Sequence, residues 1–120
     1  MSHIVTLETK VHDAAAVTAA CQRLNLPAPV HGTARLYSGE ATGLLVQLPG
    51  WQFPIVIDAL SGTIRFDNFE GRWGDQAQLD KFLQMYAVEK AKLEARKKNL
   101  TVTEQTLQDG SIRLQITEGS

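Results

Sequence analysis

The chain contains a single cysteine, Cys21, among its 120 residues. An internal disulfide and a cysteine-rich metal site are both excluded, which fits a reducing compartment. Long apolar runs are missing as well: they stop at about five residues, where roughly 20 are needed to span a bilayer, and Met1-Ser2-His3 opens no basic region followed by an apolar core. The expectation is a cytoplasmic protein without a membrane anchor. Net charge is nearly absent, since 12 basic against 13 acidic residues leave −1. No global positive field draws nucleic acid or anionic lipid, and either would need a local patch. With 43% hydrophobic and 21% charged residues, the composition is that of a globule, not of a disordered or fibrous chain. Residues 1–120 read as one domain.

What is present is clear local grammar. Ile4 to Val11 is rich in β-branched residues and carries Thr6, Glu8 and Lys10 on one parity, which predicts a strand with a solvated face. Asp13 precedes Ala14 to Leu24, where Val17, Ala20, Cys21 and Leu24 repeat at helical offsets, and Asn25, Pro27 and Pro29 end that helix. Four candidate strands follow, Thr33–Tyr37, Gly43–Leu48, Phe53–Asp58 and Thr63–Phe66, separated by Ser-Gly, Pro-Gly and Ser-Gly turns. Asp75 then caps a second helix with Leu79, Phe82, Leu83, Tyr86 and Ala87 as its buried stripe, fading beyond Val88 and ending near Asn99. Thr101–Gln105 and Ser111–Ile116 form a hairpin through Asp109-Gly110. The predicted fold is α+β, a mainly antiparallel sheet in the order β-α-β-β-β-β-α-β-β with both helices on one face. Exposed sheet edges and an uncovered face predict a homodimer.

Three strand openings echo one another: Gly32-Thr33-Ala34-Arg35-Leu36, Gly62-Thr63-Ile64-Arg65-Phe66 and Gly110-Ser111-Ile112-Arg113-Leu114. Alternation places Arg35, Arg65 and Arg113 on the solvated face, and neighbouring strands would align them as an arginine row for a partner or an anion. Turn-plus-strand grammar alone also produces this pattern.

Catalytic constellations are scarce. No Gly-x-Ser-x-Gly elbow and no phosphate-binding glycine loop occurs. Cys21 sits on the apolar side of its helix, as a packing residue would. His3, His12 and His31 are scattered, so a metal site would have to recruit His3 or His12 with Glu8, and none is assigned, nor any cofactor. The densest polar stretch is Asp67-Asn68-Phe69-Glu70-Gly71-Arg72-Trp73-Gly74-Asp75. Its carboxylates could bind an ion or act as acid and base, and Arg72 and Trp73 could hold an anion at the helix start. The spacing matches no standard calcium loop, so a turn braced by Asp and Asn side chains is the reading it favours. Trp51 and Trp73 are candidate contact anchors, Trp51 either exposed after Pro49-Gly50 or lidding the core. The basic run Lys90 to Lys98 is a weak nucleic-acid candidate, since no aromatic is interleaved to stack on bases.

Met1-Ser2-His3, Tyr86-Ala87, Val102-Thr103-Glu104-Gln105 and Asp109-Gly110-Ser111-Ile112-Arg113-Leu114 together resemble the hypothetical chloroplast reading frame thirty-five family, also called domain of unknown function twelve fifty-seven. The resemblance spans the chain and is most specific in roughly its last 35 residues. Members occur in cyanobacteria, algal plastids and other bacteria and bring no established activity. Plastid-type members have a Tyr-His pair where this chain has Val88-Glu89, so no role of that His carries over. The resemblance implies an adapter for a chaperone-like ATPase, because some members are encoded beside one.

Two functional expectations result. The first is a non-enzymatic protein-binding or assembly module that docks its partner through Arg35, Arg65, Arg113, Trp51 or Trp73. The alternative is a small-molecule or ion-binding sensor or enzyme built on Asp67, Glu70, Arg72 and Trp73.

Overall fold

The computed structural model describes residues 4–118. Chain order is β1 (Val5–Glu8), α1 (Ala14–Arg23), β2 (Val30–Leu36), β3 (Gly39–Val46), β4 (Ile55–Asp58), β5 (Thr63–Phe66), a short 3-10 turn (Phe69–Gly71), α2 (Gln76–Lys97), β6 (Leu100–Thr106) and β7 (Ile112–Glu118). The α+β class and the element order agree with the sequence reading.

Local chemistry sets the helix ends. The Asp13 carboxylate accepts from the amides of Ala15 and Ala16, and Asp75 accepts from Ala77, each satisfying amide groups that have no partner within the helix. Past the far ends, Asn25 and Asn99 adopt left-handed angles, φ 57° and 58°, as asparagine tolerates and most residues do not.

The seven strands divide into two sheets instead of one. A five-stranded antiparallel sheet has the order β1-β5-β4-β3-β2, and β6 pairs only with β7. Both helices cover one face of the larger sheet, where Val17, Ala20 and Cys21 of α1 and Leu79, Phe82 and Tyr86 of α2 bury Val46, Ile55, Ile57, Ile64 and Phe66. The other face, expected to stay open, is partly closed by the chain itself. β3 pairs with β4 only over Leu44–Val46, whereas Gly39 to Gly43 pair with β2 alone. Beyond Gly43 the β2–β3 hairpin curls over that face, and Ala34, Leu36 and Ala41 pack with Val56, Ile4, Leu45 and Phe53. Gly43 lies against the Ile57 carbonyl so closely that any Cβ there would overlap it, which makes glycine the residue for the bend.

The stripe of α2 does not fade where expected. Ala87 is exposed, while Val88 and Ala95 are buried. The second half of the helix turns its apolar side to the β6–β7 hairpin, whose Val102, Ile112 and Leu114 are half-buried. An ionic network fastens this arm: Arg23 of α1 reaches Glu89 at 3.1 Å and Glu104 at 2.5 Å, and Lys92 reaches Glu104 at 3.1 Å.

Candidate functional site

The three arginines do not form a row. Arg113 belongs to the separate hairpin, and in the larger sheet β3 and β4 stand between Arg35 on β2 and Arg65 on β5. Arg65 lies opposite Val56 and Thr6, on the face away from the helices. Arg35 lies opposite Glu40, and the register Arg35–Glu40, Thr33–Thr42, His31–Leu44 carries it onto the opposite parity. One short sequence pattern is thus used twice with opposite orientation, because alternation fixes side chains within a strand but not which face its sheet packs.

Trp51 is no contact anchor either. It is 5% exposed, donates its indole N–H to the Asp75 carbonyl at 3.0 Å, and meets Phe66 edge to face at 5.6 Å. Gly74 packs flat against its ring. Trp51 therefore lids the core and ties the Pro49-Gly50 loop to the start of α2.

Three of the five basic residues in the Lys90–Lys98 run are ion-paired, and among the described residues no ion pair includes Arg96 or Lys98. Lys90 bridges Asp13 at 3.0 Å and Glu94 at 2.8 Å, Lys92 faces Glu89 and Glu104, and Lys97 faces Glu94. The hydrogen bonds that the Lys90 ammonium donates to Glu94 and Asp13 push its pKa well above its ordinary value, and the bond accepted from Lys90 holds the Asp13 carboxyl below its own. Cys21 is buried, which pushes its thiol pKa up and leaves it a packing group. His12 brings Nδ1 to 2.9 Å from the Ala59 carbonyl oxygen, a contact that uses it as a donor; His31 is exposed, and His3 lies outside the described residues. Among the described residues no group of three or more metal-ligating side chains converges.

The 67–75 turn is where separate parts of the chain meet. Its backbone is held by Asn68, whose carbonyl accepts from Gly71 and Trp73 and whose amide side chain donates to the Gly74 carbonyl. Phe69 and Glu70 have left-handed angles, φ 46° and 54°, followed by Gly71 at 98°. Two successive non-glycine residues in that region each carry of order 1–3 kcal/mol of strain. The strained turn places Phe69 stacked on Trp73 at 4.7 Å and sets the Arg72 guanidinium 5.0 Å from the Phe69 ring centre. Tyr37, from the tip of the β2–β3 hairpin, reaches Trp73 at 4.9 Å, and Phe53 meets it at 5.7 Å. Four of the chain's eight aromatic residues thus gather at one place, with Tyr37 63% exposed.

The four residues of the ligand alternative do not converge on one point. Arg72 and Trp73 belong to the aromatic surface. Glu70 lines a separate cleft of about 560 Å³ with Ile4, Val5, Leu7, Asn68 and Gln76. Asp67 is fully buried under the hairpin tip, its Oδ2 3.4 Å from the Ser38 hydroxyl. Each aromatic was visible in the sequence, but their meeting depends on the curl of the β2–β3 hairpin, which no spacing announces.

Comparison with protein-family models, with curated proteins and with solved structures gave no match to this chain. No helix among the described residues is long and apolar enough to cross a membrane.

Proposed function

We propose that this chain is a non-enzymatic protein-binding module, and that its partner docks on the aromatic surface of Tyr37, Phe53, Phe69 and Trp73 flanked by Arg72. The observation that carries the reading is the gathering of half the chain's aromatic side chains around one strained turn and one hairpin tip. Tyrosine, tryptophan and arginine are the residue types that dominate binding energy at protein interfaces. The family resemblance belongs to the same reading and makes a chaperone-like ATPase the first partner to try. A homodimer is part of it too, and light scattering that gives a mass near 13.2 kDa at micromolar concentration removes that part.

The test is a photo-crosslinking residue placed at Tyr37 and, as control, at Arg96, exposed near the far end of α2. Transfer to one discrete protein from Tyr37 and none from Arg96 supports the reading. Equal transfer from both, or none from Tyr37, refutes it.

One observation favours a second reading. The cleft of about 560 Å³ beside Glu70 has the size of a small-molecule pocket. A thermal-shift panel of nucleotides, divalent ions and phosphorylated metabolites tests it, since a ligand at 100 times its Kd adds about 2.7 kcal/mol to stability. A flat panel excludes those classes.

A further inference from the structure

Asp67 carries an unresolved demand. It is fully buried, and its Oδ1 has no hydrogen-bond partner, alone among buried side-chain polar atoms of the described residues. The Ser38 hydroxyl, at 3.4 Å from Oδ2, is a long contact and leaves the second oxygen bare. Among the described residues the ion pairs join α1, α2 and β6, and none includes Asp67. A carboxylate out of water is expensive to hold unless a donor or an opposite charge meets it, so a bare oxygen calls for a group that arrives from outside.

The surroundings say what kind of group. The turn that covers Asp67 is Tyr37-Ser38, and Tyr37 packs on Trp73 at the rim of the aromatic surface. Aromatic faces attract cations, and this cluster already holds one, since Arg72 lies over Phe69. The turn that carries Arg72 has left-handed angles at Phe69 and Glu70. Among the described residues Gly39 to Gly43 pair with no strand but β2, and the bond from Ser38 to Asp67 is long.

We propose that Asp67 is the anchor for a cationic side chain, arginine or lysine, which a protein partner inserts beneath the Tyr37-Ser38 turn. This rests on the docking surface proposed above and names the chemistry of what docks there. A guanidinium would satisfy both carboxylate oxygens at once, so arginine is the better fit.

The probe is N-acetyl-arginine methylamide, titrated into the isotopically labelled protein, with the uncharged citrulline analogue as its match in shape. Saturable movement of the Trp73 indole and Ser38 amide resonances is expected with the arginine probe alone, with half-saturation on the order of 1 mM for a ligand this small. Asp67→Asn keeps the side chain's shape and removes the charge. It is expected to weaken the probe at least tenfold and to raise the melting temperature, a pairing that an ordinary packing role does not produce. If that variant does not fold, Tyr37→Leu at the exposed rim is expected to weaken the probe several-fold. Equal shifts from arginine and citrulline, no saturable shift, or unchanged binding by Asp67→Asn overturns the cation anchor. Crosslinking from Tyr37 that persists unchanged in Asp67→Asn also overturns the anchor and leaves the docking surface standing. Arginine binding without any crosslinked partner overturns the docking surface instead.

Discussion

Gly74→Ala gives a sign that the packing at the 67–75 turn decides. Gly74 has no left-handed backbone angle, so on conformational entropy alone alanine should stabilise by about 0.4–1 kcal/mol through a stiffer unfolded chain. The tertiary structure predicts the reverse. A Cβ at this position would sit 2.6 Å from Cε2 and Cγ of Trp51, inside any permitted contact, and Trp51 is buried. The indole cannot retreat freely, because its N–H is bonded to the Asp75 carbonyl and its edge faces Phe66. Overpacking of this kind costs about 1–3 kcal/mol. Weakening the indole bond adds roughly 0.5–1.5 kcal/mol. After subtracting the entropic gain, a net loss of about 1–3 kcal/mol remains, or a fall in Tm of roughly 4–12 °C for a domain of this size. Scanning calorimetry of the two proteins measures it. In a Trp51→Leu background the same substitution should lose most of its effect, since the obstructing ring is gone. A Tm at or above the parent's would refute the packing of Trp51 on Gly74, and with it the argument that Trp51 is a core lid.

Asp13→Ala should destabilise by about 1 kcal/mol by removing the cap of α1. The Lys90 ammonium holds the Asp13 carboxyl below its ordinary pKa of 3.8, so the stabilisation is present above that value and lost as pH falls through and below it. Urea midpoints of the two proteins should therefore differ at pH 7 and converge near pH 2, and a constant difference contradicts the assignment. Arg23→Ala should release the β6–β7 arm, raising amide exchange in Leu100–Thr106 roughly fivefold for about 1 kcal/mol of lost anchoring while β4 and β5 stay unchanged. Uniform acceleration would show that the arm is not a separate unit. Cys21, whose thiol pKa burial pushes up, should react with a thiol reagent only as fast as the chain opens, and rapid labelling of the native protein would place it elsewhere.

Helix ends, strand bodies and turns were legible because they depend on neighbours in the chain. Asp13 and Asp75 as caps, Asn25 and Asn99 past the helix ends, and Asp109-Gly110 in the hairpin all stand where short-range chemistry puts them. The fold class followed from their order. Face and partner were not legible. Period-two alternation separates Leu36 from Arg35 and Phe66 from Arg65, but only strand order and the bend at Gly43 send Leu36 and Phe66 to opposite sides of one sheet. The same bend carries Tyr37 to Trp73 and Ser38 to Asp67, contacts between residues 36 and 29 positions apart. Local propensity acts over a few residues and says how a segment is built. Where that segment lies is chosen by burying apolar area across the whole chain, a sum that no single stretch contains.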